Sequence, residues 1–82
     1  MTKVEIYSTP SCGYCKMAKE HFAEKSVEYV DYDVATDEEK RNEMIQKTGQ
    51  MGVPVIMITK DEAEPEIIVG FDKGRVDELL GL

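Results

Sequence analysis

Cys12 and Cys15 stand three positions apart in the segment Cys12-Gly13-Tyr14-Cys15. Thiol-disulfide exchange needs a thiolate that attacks and a second thiol near enough to displace the mixed disulfide that forms; this spacing at a helix start supplies both. A disulfide between two such close positions closes too short a loop to constrain much of the unfolded chain, so stability is not its purpose. A closed zinc site takes four ligands, and beyond the pair the sequence offers only His21, so no metal is expected. The two thiols should differ in role. Backbone N–H groups and the positive dipole end at a helix start favour Cys12 as the thiolate, with Lys16 and Lys19 adding positive charge nearby. Any help from Lys16 is modest and screened by salt. Cys15, one turn further and on the inward side, should stay protonated until a neighbouring disulfide must be resolved.

The elements that must hold this pair follow from pattern. Val4-Glu5-Ile6-Tyr7 reads as a strand, Thr9-Pro10-Ser11 breaks it, and a helix is expected from about 12 to 25. Cys15, Ala18 and Phe22 fall at spacings of three and four on its inward face. A second strand is expected over 27–34, with Val30, Tyr32 and Val34 on one face, and the helical crossover makes it parallel to the first. Thr36 and Glu39 have capping-box spacing before a helix over 37–48, for which Gly49 is a stop and Met44 and Ile45 a thin apolar stripe. The apolar run 53–58 suits a strand buried on both faces. A polar turn over 60–65 returns the chain as a hairpin strand over 66–69. Asp72 then caps a last helix with Val76, Leu79 and Leu80 inward. The reading is an α/β chain of order βαβαββα.

Length and charge narrow the functions. Eighty-two residues make one small domain, 1–82, with 41% hydrophobic residues, enough for one thin core. A net charge of −7 repels phosphate backbones and anionic lipid, so neither nucleic acid nor membrane is an expected partner. No apolar run approaches the roughly 20 residues of a membrane-spanning helix, and the start lacks the apolar run of a signal peptide, so a cytoplasmic location is expected.

Three motifs lie in order along the chain: Tyr7-Ser-Thr-Pro-Ser-Cys-Gly-Tyr-Cys15, Gly52-Val-Pro-Val55 and Val69-Gly-Phe-Asp72. Together they resemble the glutaredoxins, in particular the short bacterial glutaredoxin-like proteins. The resemblance implies a thioredoxin fold, a four-stranded mixed sheet flanked by helices, with a cis proline facing the cysteines. It implies an enzyme, a thiol-disulfide oxidoreductase reducing protein disulfides and glutathione mixed disulfides. Its partners would be glutathione, as co-substrate, and disulfide-containing or glutathionylated proteins. No bound cofactor is implied, and a monomer is expected. By resemblance, Val53 before Pro54 pairs with the substrate main chain. Tyr14, Gln50, Gly70, Phe71 and Asp72 border glutathione, Asp72 meeting its ammonium beside the backbone N–H groups that hold its carboxylate. The sequence departs from the family pattern at four places: Gly13 replaces a proline, Thr9 a basic residue, Gly52 a threonine and Phe71 the second of two glycines. Gly13 adds an N–H at the helix start beside the thiolate, while Thr9 and Phe71 bear on glutathione affinity. Two alternatives accompany the resemblance. One is a redoxin reduced by thioredoxin reductase that serves ribonucleotide reductase, although that group's Trp motif is absent. The other is a carrier of a [2Fe-2S] cluster between two subunits, as relatives without the proline sometimes are. Some bacterial members also carry selenocysteine at the first cysteine position.

Overall fold

A computed structural model of the chain describes residues 2–50, 52–61 and 63–81. Its elements are β1 (Thr2–Ser8), α1 (Gly13–Glu24), β2 (Val30–Asp33), α2 (Glu38–Thr48), β3 (Val55–Lys60), β4 (Glu66–Val69) and α3 (Lys73–Leu80). The sheet order is β2-β1-β3-β4, with β1 and β2 parallel and the β1–β3 and β3–β4 pairs antiparallel. This is the thioredoxin-fold arrangement that the resemblance implied.

Period-two alternation in the central strands builds a core on each face of the sheet. On one side Val4 and Ile6 of β1, Ile56 and Ile58 of β3 and Ile68 of β4 pack with Ala18 and Phe22 of α1 and Val76 of α3. On the other, Tyr7, Val55 and Met57 meet Val34 and the single fully buried residue of α2, Met44. The expectation that the 53–58 run is covered on both faces therefore holds for Val55 to Ile58. Val53 and Pro54 precede the strand. The hairpin turn follows Lys60 as expected, Glu62 lying outside the described residues.

Several boundaries differ from the sequence reading. The cap of α2 is Asp37, not Thr36: its carboxylate accepts the Lys40 N–H at 3.1 Å. The charged oxygen one residue later outcompetes the Thr36 hydroxyl and also faces the positive helix end. Gly49 closes that helix at φ 70°. The second strand covers only 30–33, and Val30 is exposed at the sheet edge instead of sharing an inward face with Val34. The cause is the turn after α1, where Val27 N–H bonds back to Phe22 C=O at 2.8 Å and delays pairing with β1. β1 extends further than expected, from Thr2 to Ser8.

One polar bridge fixes the end of β1 that leads to the cysteines. Ser8, fully buried, donates its hydroxyl to Asp31 at 2.5 Å, and the other oxygen of Asp31 takes Lys19 Nζ of α1 at 3.0 Å. Strand β1, strand β2 and helix α1 are thereby tied together one step before the loop that carries Cys12.

Candidate active site

The loop after β1 delivers Cys12 as the N-cap of α1, in extended conformation at φ −86° and ψ 114°. Its Sγ accepts the Cys15 N–H at 3.1 Å, and Cys12 N–H itself donates to Thr9 C=O at 3.2 Å. Sulfur thus occupies the place that a Ser or Asp oxygen fills in an ordinary cap, within reach of the unpaired amides of the first turn. Cys12 is half-buried, less open than a helix start suggests, and Cys15 is fully buried. Both are free thiols. Burial first, then the contact with Cys12, pushes the Cys15 thiol up to about 11, so it holds its proton at neutral pH.

The two lysines have different surroundings. Burial works against the charge of Lys19, but the bond to Asp31 outweighs it and holds its pKa above the ordinary value. Its cation is thus engaged with Asp31 and also acts on the nearby Cys15 thiol. Lys16 is exposed on the surface of α1 and Gln50 is exposed just past the end of α2; neither lines the groove that Tyr14 borders, and the Gln50 N–H donates to the Thr48 hydroxyl at 3.1 Å. Gly13 opens α1 with open space around its Cα, so the loop is not packed shut there.

The other expected residues converge. Tyr14, Val53, Pro54, Gly70, Phe71 and Asp72 line one groove of about 380 Å³. The Val53–Pro54 peptide is cis, as the resemblance implied, and Pro54 is fully buried. Pro54 C=O accepts the Gly70 N–H at 2.8 Å, which joins the two walls that come from β3 and β4. Gly70 sits at φ +80°, a conformation that favours glycine. Asp72 caps α3 by accepting the Arg75 N–H at 3.2 Å. Tyr14 projects from the first turn of α1 with 64% of its surface exposed.

Sequence reasoning missed two residues here. Val69 lines the groove with 57% of its surface exposed; alternation from the inward Ile68 already pointed it outward. His21, weighed only as a metal ligand, is 6% exposed and lies inward with its Nε2 2.6 Å from Asp77 Oδ1 of α3. Three residues after inward Ala18, it falls on the same helical stripe. Among the described residues no group of three or more His, Cys, Asp or Glu side chains is arranged to hold a metal ion.

A family model described as Glutaredoxin matches residues 4–62, from the first strand through the cysteines and the cis proline to the start of the hairpin turn. The chain belongs to the glutaredoxin family. Membership places it among the thiol-disulfide oxidoreductases of the redoxin type. It is 44% identical over 77 residues to an uncharacterized glutaredoxin-like 8.6 kDa protein of a rubredoxin operon in Clostridium pasteurianum, covering 94% of this chain and 96% of that one. It is 38% identical over 58 residues to glutaredoxin 3 of Escherichia coli K12, covering 71% of this chain and 70% of that one. Among solved structures it superposes on a mutant of the thioredoxin-like protein BC3987 with a TM-score of 0.85 at 27% identity, over 99% of this chain and 97% of the other. No helix among the described residues is long and apolar enough to cross a membrane.

Proposed function

We propose that this glutaredoxin-family chain is a glutathione-dependent dithiol oxidoreductase acting on glutathionylated proteins and protein disulfides. Cys12 is the attacking sulfur and Cys15 the resolving one. What supports the assignment above all is Cys12 Sγ capping α1 at 3.1 Å from the Cys15 amide, while its partner thiol is buried and held protonated.

On a glutathione mixed disulfide, the Cys12 thiolate attacks the glutathione sulfur. The target's thiolate leaves and takes a proton, and Cys12 carries the glutathionyl group. A second glutathione thiolate attacks that sulfur, giving glutathione disulfide and restoring Cys12. On a protein disulfide the first attack joins Cys12 to one target sulfur and releases the other as a thiol. Cys15, once deprotonated, attacks Cys12 Sγ and expels the second target thiol, leaving a Cys12–Cys15 disulfide that two glutathiones reduce. The groove supports this substrate class. Val53 lines the groove together with Tyr14 of the cysteine motif, and the start of α3 offers backbone N–H groups beside the Asp72 carboxylate, matching a ligand with both carboxylate and ammonium ends.

The test is reduction of a glutathionylated peptide and of a protein disulfide by wild type, Cys12→Ser and Cys15→Ser, with glutathione and its reductase or with thioredoxin reductase as electron source. Cys12→Ser should lose both activities, and Cys15→Ser only the second. Turnover surviving in Cys12→Ser overturns the roles, and turnover with thioredoxin reductase alone overturns glutathione as donor.

A further inference from the structure

The helix that starts at Cys12 also carries, on its inward stripe, a buried histidine that the exchange chemistry does not use. His21 reaches across to α3, where its Nε2 meets Asp77 Oδ1 at 2.6 Å, and its ring lies 5.7 Å from that of Phe71 at an interplanar angle of 54°. This is within the range of favourable tilted aromatic contact. Phe71 lines the groove, between Gly70, which is bonded to Pro54, and Asp72, which caps α3. The turn from β4 to α3 is therefore held at three points: by Pro54 through Gly70, by its own helix through Asp72, and by α1 through His21. His21 lies nine positions along the helix from Cys12, a rigid spacer of about 13.5 Å at 1.5 Å per residue.

We propose that His21, clamped by Asp77, is a positioning residue that braces the Phe71 wall of the groove at a fixed reach from the thiols and so sets substrate affinity. The inference rests on the reading that this groove takes the substrate. Two features of the imidazole are required together. The ring supplies the surface against Phe71, and the Nε2–Asp77 bond prevents that ring from turning away. A buried imidazole without this partner would also carry an unsatisfied polar atom.

Substitutions separate the two features. His21→Phe keeps an aromatic face and loses the bond to Asp77; His21→Gln keeps a donor and loses the ring. Asp77→Asn retains an oxygen that can accept from Nε2, whereas Asp77→Ala retains none. Two measurements are made on each: the ring resonances of Phe71 by NMR, and steady-state kinetics with a glutathionylated peptide. His21→Phe, His21→Gln and Asp77→Ala should shift the Phe71 resonances and raise KM roughly five- to tenfold with kcat within about twofold, the pattern of lost binding. Asp77→Asn should restore wild-type values in both. Unmoved Phe71 resonances, or a fall in kcat at constant KM, overturn the bracing role. Should the wild type not turn over the peptide at all, the proposed function fails, and the Phe71 resonances of Asp77→Ala, which leaves the imidazole in the chain, still decide whether the clamped His21 braces that wall.

Discussion

At the scale of single residues, the structure separates two sulfurs with the same side chain by where they sit. Burial and the neighbouring Cys12 sulfur raise Cys15 from 9.0 to about 11. A group whose folded-state pKa is raised binds its proton more tightly in the native state, so its contribution to stability is whole below pH 9 and lost as pH climbs to about 11. Tyr7 and Tyr32, both pushed up to about 12, extend the loss beyond that: Tyr7 chiefly by burial, Tyr32 chiefly by donating to Glu5 at 2.7 Å. Urea denaturation of the reduced protein should therefore show a midpoint that is flat near neutrality and falls between pH 9 and 12. A Cys15→Ala variant should show a smaller drop between 9 and 11. A second expectation concerns Tyr7. Its hydroxyl is buried and faces Glu43, whose charge and hydrogen bonding add to burial in pushing it up. Tyr7→Phe removes one of the two groups raised to about 12, so in the same denaturation experiment its midpoint should fall less between pH 10 and 12 than that of the wild type. The paired cysteines and the Asp72 cap were legible in the sequence because each depends on neighbours along the chain, whereas the cis proline came only with the family resemblance. The Tyr7–Glu43 proximity and the His21–Asp77 contact, spanning 56 positions, were not legible.

Among the elements, α2 rests on a narrow apolar contact. Met44 is its one fully buried side chain, and its polar face is organised by Glu43, which accepts from Lys40 at 2.9 Å and Lys47 at 2.7 Å. Removing the methionine side chain should cost about 2–5 kcal/mol, read as loss of stability in Met44→Ala. The ion pairs are nearer the surface and act less strongly. Lys47 and then Lys40 lower the Glu43 carboxyl from 4.5 to about 2. A lowered carboxylate supports the fold above its ordinary pKa and ceases to do so as pH falls towards about 2. Glu43→Gln should accordingly flatten the acid limb between pH 4.5 and 2, most visibly at low salt. The thin apolar stripe of this helix was readable from Met44 and Ile45, and the order of all seven elements followed from periodicity and breakers. What pattern did not give were ends decided by competition. Two neighbouring side chains, Thr36 and Asp37, could each cap α2, and the turn after α1 shortened β2 from one side. Lys19 likewise read only as a positive charge near Cys12, because its partner Asp31 comes from β2, twelve positions on.

For the whole molecule, net charge and strand direction matter most. A chain carrying −7 repels an anionic disulfide such as glutathione disulfide at long range, and added salt screens that repulsion. Initial rates of Cys12 oxidation by glutathione disulfide should rise with ionic strength, whereas those with a neutral disulfide such as hydroxyethyl disulfide should stay level. Equal salt responses from the two reagents would show that the net charge does not govern approach. Strand direction has a practical side. The antiparallel register sets Thr2 opposite Lys60 and Tyr7 opposite Val55, so the thiols and the cis proline share one pole of a body measuring 31 × 27 × 17 Å. The acidic hairpin after Lys60 stands at the other pole. Anchoring the protein to a bead or an electrode through that hairpin would leave its reactive end facing the bulk, and a fluorophore or affinity tag grafted there would report on the protein without touching its chemistry.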